Sequence, residues 1–513
     1  MRQLSCLRDS HPPLALPNRH KNGDRTATRP PRRCPIRVRF PVLLLPVLVS
    51  FSALGLASAN PNASPRPSRA YAESLEAQAK YKECGEAYLA IYVANPSARR
   101  SEEVLYNSGV CFQSGGATGL AIRQFRQLNQ RFPQSSLAPK ALLRLAGLYQ
   151  SAKILDKASS AYEEFARRYS SEKEAPGALL SAIRNRRSLG HHNEMVKNIE
   201  EFVKQYEKRR PEDSAMLLFL LATEQEKQGT QRKTVQGYER YIKVIGKRGG
   251  LDRSLVANAK LGELLWRQSC VRATDGVCSK RVRLPAHKKG QGVATHCGSV
   301  TTRMQIVPRN RKLVVRAMQY FANATALANA GAIDRAPDAA RSESARDSFL
   351  ASQFYLLAQD YEKYLSLELP RGLSFPPNNR RKTKRSTTRF QTWLQAKKTM
   401  SGELKEKYQR IVSVGRASEW NVASIARIGQ ISQHFALSLA TAEVPKGVRQ
   451  GNFASESVNA FCDEFGRQAQ PLEAMANAAY SKCVAVSSAT KRSNTWSKLC
   501  QRELAVLGQQ TVP

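Results

Sequence analysis

Catalytic punctuation is missing from this sequence. It has no glycine-rich phosphate loop, no nucleophile elbow, no dinucleotide-binding fingerprint and no pair of histidines at helical spacing. These gaps count against an enzyme, and they imply no cofactor and no small-molecule substrate. Acid is scarce as well: 41 Asp and Glu face 81 Lys and Arg, a formal charge of +40. So large an excess points to an anionic partner or surface. The basic clusters lack interleaved aromatic residues, which counts against nucleic acid in that role.

Long apolar runs are also lacking, with one exception near the start. Phe40 to Leu56 is broken by Pro41 and Pro46 and falls short of the ~20 residues that a membrane span needs. Arg37 and Arg39 precede it and Ala57-Ser58-Ala59 follow, so it reads as a secretory signal cleaved after Ala59. No cysteine sits at the cleavage point, which leaves a lipoprotein anchor unsupported. Removing the leader still leaves about +32. Eight cysteines also remain: Cys84, Cys111, Cys270, Cys278, Cys297, Cys462, Cys483 and Cys500. An even number in an exported chain favours disulfides, with two or more thiols left open as free core residues.

What the chain does have is an internal repeat. Cys84, Tyr88, Ile91 and Pro96 return 37 residues later as Ala121, Phe125, Leu128 and Pro133, and again as Ala158, Tyr162, Phe165 and Ser170. Met195, Ile199 and Phe202 make a fourth return. The segment in front recurs in step, Leu105, Gly109 and Phe112 mapping onto Leu142, Ala146 and Tyr149. Within each unit the apolar residues fall at helical spacing with Gly or Pro between runs, so each unit reads as a helix hairpin. A lone hairpin cannot bury both faces, and the units must therefore stack.

In the unit from Glu102 to Pro133, Leu105, Gly109, Phe112, Ala121, Phe125, Leu128 and Pro133 occupy the signature positions of the tetratricopeptide repeat (TPR). The chain resembles that family over about residues 68–266. The resemblance implies an all-α fold, a TPR superhelix of stacked hairpins, followed by a divergent helical C-terminal half. With its period of 37, the array is similar to bacterial periplasmic and outer-membrane TPR proteins of the Tol-Pal and β-barrel assembly type. The closing Trp496 to Cys500 is similar to myxobacterial gliding-motility TPR proteins. The organisation expected is a leader over 1–59, the array over 60–267, a basic cysteine-bearing insertion over 268–311 and a helical continuation over 312–370. A basic linker over 371–389 and a C-terminal helical region over 390–513, broken near Pro445, Gly451 and Pro471, complete it.

The resemblance also nominates a binding site. In TPR proteins that grip a terminal carboxylate, an Asn from one repeat and a Lys and an Arg from the next form a clamp; here those positions hold Asn107, Lys140 and Arg144. Two cations and an amide can converge on one carboxylate through charge-assisted hydrogen bonds. Cys270, Cys278, His287, His296 and Cys297 include zinc-ligand types, but without the short pairs that pre-organise such sites, so disulfides are the better reading. Three cysteines here and Cys462, Cys483 and Cys500 in the tail allow one bridge within each group and one between them, in a connectivity that spacing leaves open. The function expected is a non-catalytic scaffold of the cell envelope, in the periplasm or on the periplasmic face of the outer membrane. Its partners would be other envelope proteins, held through the groove, and an anionic envelope surface. The alternative is a nucleic-acid or other polyanion-binding repeat protein, to which the run Arg380-Arg381-Lys382-Thr383-Lys384-Arg385 also lends itself.

Overall fold

The computed structural model describes residues 68–283, 293–298, 302–376, 378–414, 418–489 and 494–510. The leader and its cleavage site lie outside the described residues. Helices dominate and pair in sequence: α1 (Arg69–Ala77) with α2 (Tyr81–Ala94), α3 (Ser101–Ser114) with α4 (Thr118–Arg131), and α5 (Ala138–Ser151) with α6 (Leu155–Arg168). They continue as α7 (Ala175–Ser188) with α8 (His192–Tyr206) and α9 (Pro211–Lys227) with α10 (Gln231–Val244). The helices α3, α5 and α7 begin 37 residues apart, as do α4, α6 and α8.

Local chemistry explains the boundaries. A proline stands in the first turn of α5, α7 and α9, where no intrahelical N–H partner is lost. Each first helix then stops at one residue in the left-handed region: Ala79, Gly116, Lys153, Gly190 and Gly229. The backbone N–H of the next residue reaches back over the turn, as from Ala117 to Phe112 O at 2.8 Å and from Ile154 to Tyr149 O at 2.9 Å, which satisfies carbonyls the helix leaves free. The two helices approach closely where a glycine faces a ring. A Cβ at Gly109 would lie 2.7 Å from Phe125, so only glycine fits there. Phe125 is fully buried, a contribution of roughly 2–3 kcal/mol.

The sixth pair is interrupted. α11 (Leu251–Gln268) packs on α12 (Arg311–Asn329) with Gly262 against Phe321, where an added Cβ would lie 2.7 Å from the ring, the same contact as Gly109 with Phe125, although the insertion separates the two helices in sequence. That insertion holds a feature absent from the sequence reading, an antiparallel sheet of β1 (Ala273–Thr274), β2 (Val277–Arg283) and β3 (Thr302–Ile306) in the order β1-β2-β3. Asp275 and Gly276, both at positive φ, form the two-residue turn between β1 and β2.

Beyond it come α13 (Ala339–Leu356), α14 (Ala358–Ser366), α15 (Arg380–Val414), α16 (Glu419–Ala440), α17 (Ala454–Ala489) and α18 (Thr495–Gln510). The helix α16 packs against α15 and α17, and α18 against α16 and α17. Two expectations change here. The basic run from Arg380 is no linker but the opening turns of α15, started by Asn379, whose side chain accepts from Lys382 N at 3.0 Å. Pro471 does not break the chain; it lies inside α17, exposed, where its missing N–H leaves no buried group unpaired.

The hairpin tip of the insertion is bolted to the C-terminal helices. Arg427 of α16 donates to Asp275 O at 2.8 Å and lies 4.4 Å from the Tyr361 ring and 4.9 Å from Trp496. Arg309 sits 3.9 Å over Trp266 and grips both oxygens of Glu362. Both guanidinium groups are desolvated against aromatic faces, where a cation gains most from the ring quadrupole.

Candidate functional site

The proposed clamp residues fall on the first helices of two adjacent pairs. Asn107 is half-buried on α3, close to the Tyr88 side chain. Lys140 and Arg144 are exposed one turn apart on α5. Arg144 reaches across to α3: its Nε donates to the Tyr106 hydroxyl at 3.0 Å and its Nη1 to Gln113 Oε1 at 2.9 Å. The guanidinium also stacks over the Tyr106 ring at 5.9 Å. Both partners are neutral, so the positive charge is oriented without being cancelled. The structure joins Arg144 to Tyr106 and Gln113, residues the sequence reading did not single out. Their spacing of seven on α3 puts them on one helix face, a signal available beforehand.

Asn107, Lys140 and Arg144 form no hydrogen bond to one another among the described contacts. An acid stands nearby on the same stretch: Glu103, which accepts from Arg69 at 3.3 Å and from Arg100 at 2.6 Å. Those two bonds hold its carboxyl below the usual range and neutralise it locally. Further along, the exposed Arg187 of α7 is paired with Glu224 and Lys260 of α11 with Glu226. Lys140 and Arg144 of α5 form no ion pair among the described residues, and on α7 the exposed Arg184, which donates to Ser181 Oγ at 3.2 Å, forms none either.

The fourth repeat departs from the pattern in the core. Where Phe112 and Tyr149 stand in the two preceding repeats, Arg186 occupies the position and is 7% exposed. Its charge is met by Glu163 through two bonds, at 2.8 and 3.0 Å, and by Asp156 Oδ1 at 2.6 Å, with Asn198 donating to Glu163 at 2.7 Å. Arg186 is held far above its ordinary pKa, first through its hydrogen bond to Glu163. This is a satisfied structural network with no side chain left to act.

The cysteines are paired. Cys270 joins Cys278, Cys483 joins Cys500, and Cys297 joins Cys462 across 165 residues. A fourth bond, Cys84–Cys111, ties α2 to α3. Four disulfides are the mark of a chain that matures in an oxidising compartment. They also consume the thiols that zinc would need in the insertion, while His287 lies outside the described residues. Glu76 stands beside the Cys84–Cys111 pair, but those sulfurs are bonded to each other and are not available as thiolates. Among the described residues, no helix is long and apolar enough to cross a membrane.

No protein-family model matches the chain, and no curated protein does. Among solved structures it is similar to a chain in "Structure of Naa15/Naa10 bound to HypK-THB", at 12% identity and a TM-score of 0.29. The match covers 82% of this chain and 62% of that one, so this chain spans less than two thirds of the length of its structural neighbour. At that score the likeness carries no argument, and the all-α, stacked-hairpin architecture rests on the helices described above.

Proposed function

We propose that this protein is a non-catalytic, TPR-like scaffold of the bacterial cell envelope that holds other proteins. The reading places it in the periplasm or on the periplasmic face of the outer membrane, in assembly or motility complexes. An anionic envelope surface is its second partner. The observation that carries the reading is the pair of exposed, uncancelled cations, Lys140 and Arg144, on a repeat helix whose neighbour supplies Tyr106, Gln113 and Asn107. An extended segment ending in a carboxylate could accept hydrogen bonds from both cations, while its side chains bury against the half-exposed Tyr106 and Leu143. The four disulfides support the exported compartment.

The test is a library of peptides displayed with free C-termini, panned against the full chain. Selected sequences are expected to bind at least tenfold more weakly to Lys140→Ala/Arg144→Ala, with unchanged thermal stability, and to lose affinity when the terminus is amidated. Equal binding to both proteins would remove the clamp.

A further inference from the structure

The fold brings arginines from three parts of the chain to one surface. Arg303 of β3 and Arg371 of the turn after α14 both donate to one carboxylate oxygen, Glu368 Oε2, at 2.9 and 3.0 Å. Arg389 of α15 donates to the Arg371 carbonyl at 3.0 Å. Arg385 and Arg381 stand one and two turns earlier on α15, both exposed, at steps of about 6 Å along the helix. The opposite side of these turns faces inward, where Ser386 Oγ accepts from Ser374 N at 3.0 Å and Thr383 Oγ1 donates to Pro376 O at 2.9 Å. The result is a row of five guanidinium groups whose ion pairs among the described residues are both to Glu368, with the Glu443 carboxylate close by, accepting from Gly372 N at 3.2 Å.

Arg303, Arg371 and Arg389 tie the turn after α14 to its neighbours, but packing does not call for the exposed Arg381 and Arg385. Among the described residues the row's ion pairs are the two to Glu368, and Arg381, Arg385 and Arg389 form none. Like charges four residues apart repel on a helix, and cations at its N-terminal end oppose the helix dipole. The arrangement therefore costs stability by itself, and an anionic chain laid along it would relieve that cost.

We propose that this row docks a linear polyanion, an acidic polysaccharide. Guanidinium groups bind oxyanions through two parallel hydrogen bonds, and steps of about 6 Å along α15 present successive cations to a polymer laid along the helix. Phe375, 38% exposed, stands beside the inward-facing Ser374 and Pro376 contacts and offers no aromatic face along the row. Single-stranded nucleic acid would use several such faces in succession. The choice of polymer rests on the exported compartment proposed above; the row itself is independent of the peptide site.

The experiment measures binding of fluorescein-labelled heparin and polygalacturonate fragments to the full chain by anisotropy across a salt series. Flotation with phosphatidylglycerol vesicles and titration with a single-stranded oligonucleotide accompany it. Arg381→Gln/Arg385→Gln/Arg389→Gln is compared with a charge-matched set on α4, Arg123→Gln/Arg126→Gln/Arg131→Gln. At least tenfold weaker glycan binding and a shallower salt dependence in the first set alone is the expected result. The sulfated and uronate probes separate the two sources of anionic group. Equal losses in both sets would reduce the effect to net charge and overturn the proposal, as would tighter binding to vesicles or to the oligonucleotide. Lys140→Ala/Arg144→Ala should leave glycan binding intact, so failure of the peptide site and failure of the row are separable.

Discussion

At the scale of single residues, Lys397 shows how burial sets chemistry. Its ammonium is fully buried between α14, α15 and α16, donating to Tyr364 O at 2.8 Å, Leu367 O at 3.1 Å and His434 Nδ1 at 3.1 Å. Its three donors meet three acceptors, and the Tyr364 ring lies 3.9 Å away. Burial pushes Lys397 down to about 7, and burial together with the Lys397 charge pushes His434 down to about 3. The unfolded chain keeps the lysine proton up to about 10.5, so between pH 7 and 10.5 it binds more protons than the folded chain. Stability from this group therefore rises with pH across that window, and below pH 7 the cost of the buried charge is present in full. Thermal melting at pH 7 and pH 10 checks this: Lys397→Met should flatten the difference that the parent protein shows. An identical difference in both proteins would mean that other groups set it.

At the scale of elements, the glycine-to-ring contact is the unit from which the molecule is built. It recurs as Gly109 with Phe125, Gly262 with Phe321 and Gly429 with Tyr480, at 2.7, 2.7 and 2.6 Å for an added Cβ. The last pair joins α16 to α17, far beyond the part of the chain where the 37-residue period is legible. Gly109→Ala should destabilise by about 1–3 kcal/mol, because the Phe125 ring must leave its place in a packed core. The same change at Gly119, where a Cβ meets nothing within 4 Å, should be neutral or slightly stabilising. Chemical denaturation of the two variants compares them directly. The period was readable because small and aromatic residues return in register; Gly429 and Tyr480 were not, because helices as long as α15 and α17 stretch the spacing until no register survives.

At the scale of the whole described molecule, the insertion works as a strap. Its hairpin tip is held by Arg427 and Arg309, and its far end pairs with the segment after α16: Cys297 N donates to Ala442 O at 2.9 Å, and Val444 N to Thr295 O at 2.9 Å. The Cys297–Cys462 bond then fixes that end to α17. In the chain-entropy account a closed loop of this length is worth about 5 kcal/mol, against about 2.5 kcal/mol for the short loop of Cys270–Cys278. Cys297→Ser/Cys462→Ser should thus lower the melting temperature more than Cys270→Ser/Cys278→Ser. The reverse order would show that the long bridge joins parts already held by packing.

The sequence alone determined the repeat, and with it the helix hairpins and their small-to-large contacts, because that information is local and recurs every 37 residues. Asp275-Gly276 carried a hairpin signal of the same local kind, although it went unread beside so many helices. Only the tertiary structure decided that Arg144 is aimed by Tyr106 and Gln113, that Arg303 and Arg371 meet at one oxygen of Glu368, and that Cys297 pairs with Cys462. Such groupings join residues from separate elements, and their geometry depends on how the helices stack. No spacing along the chain encodes it.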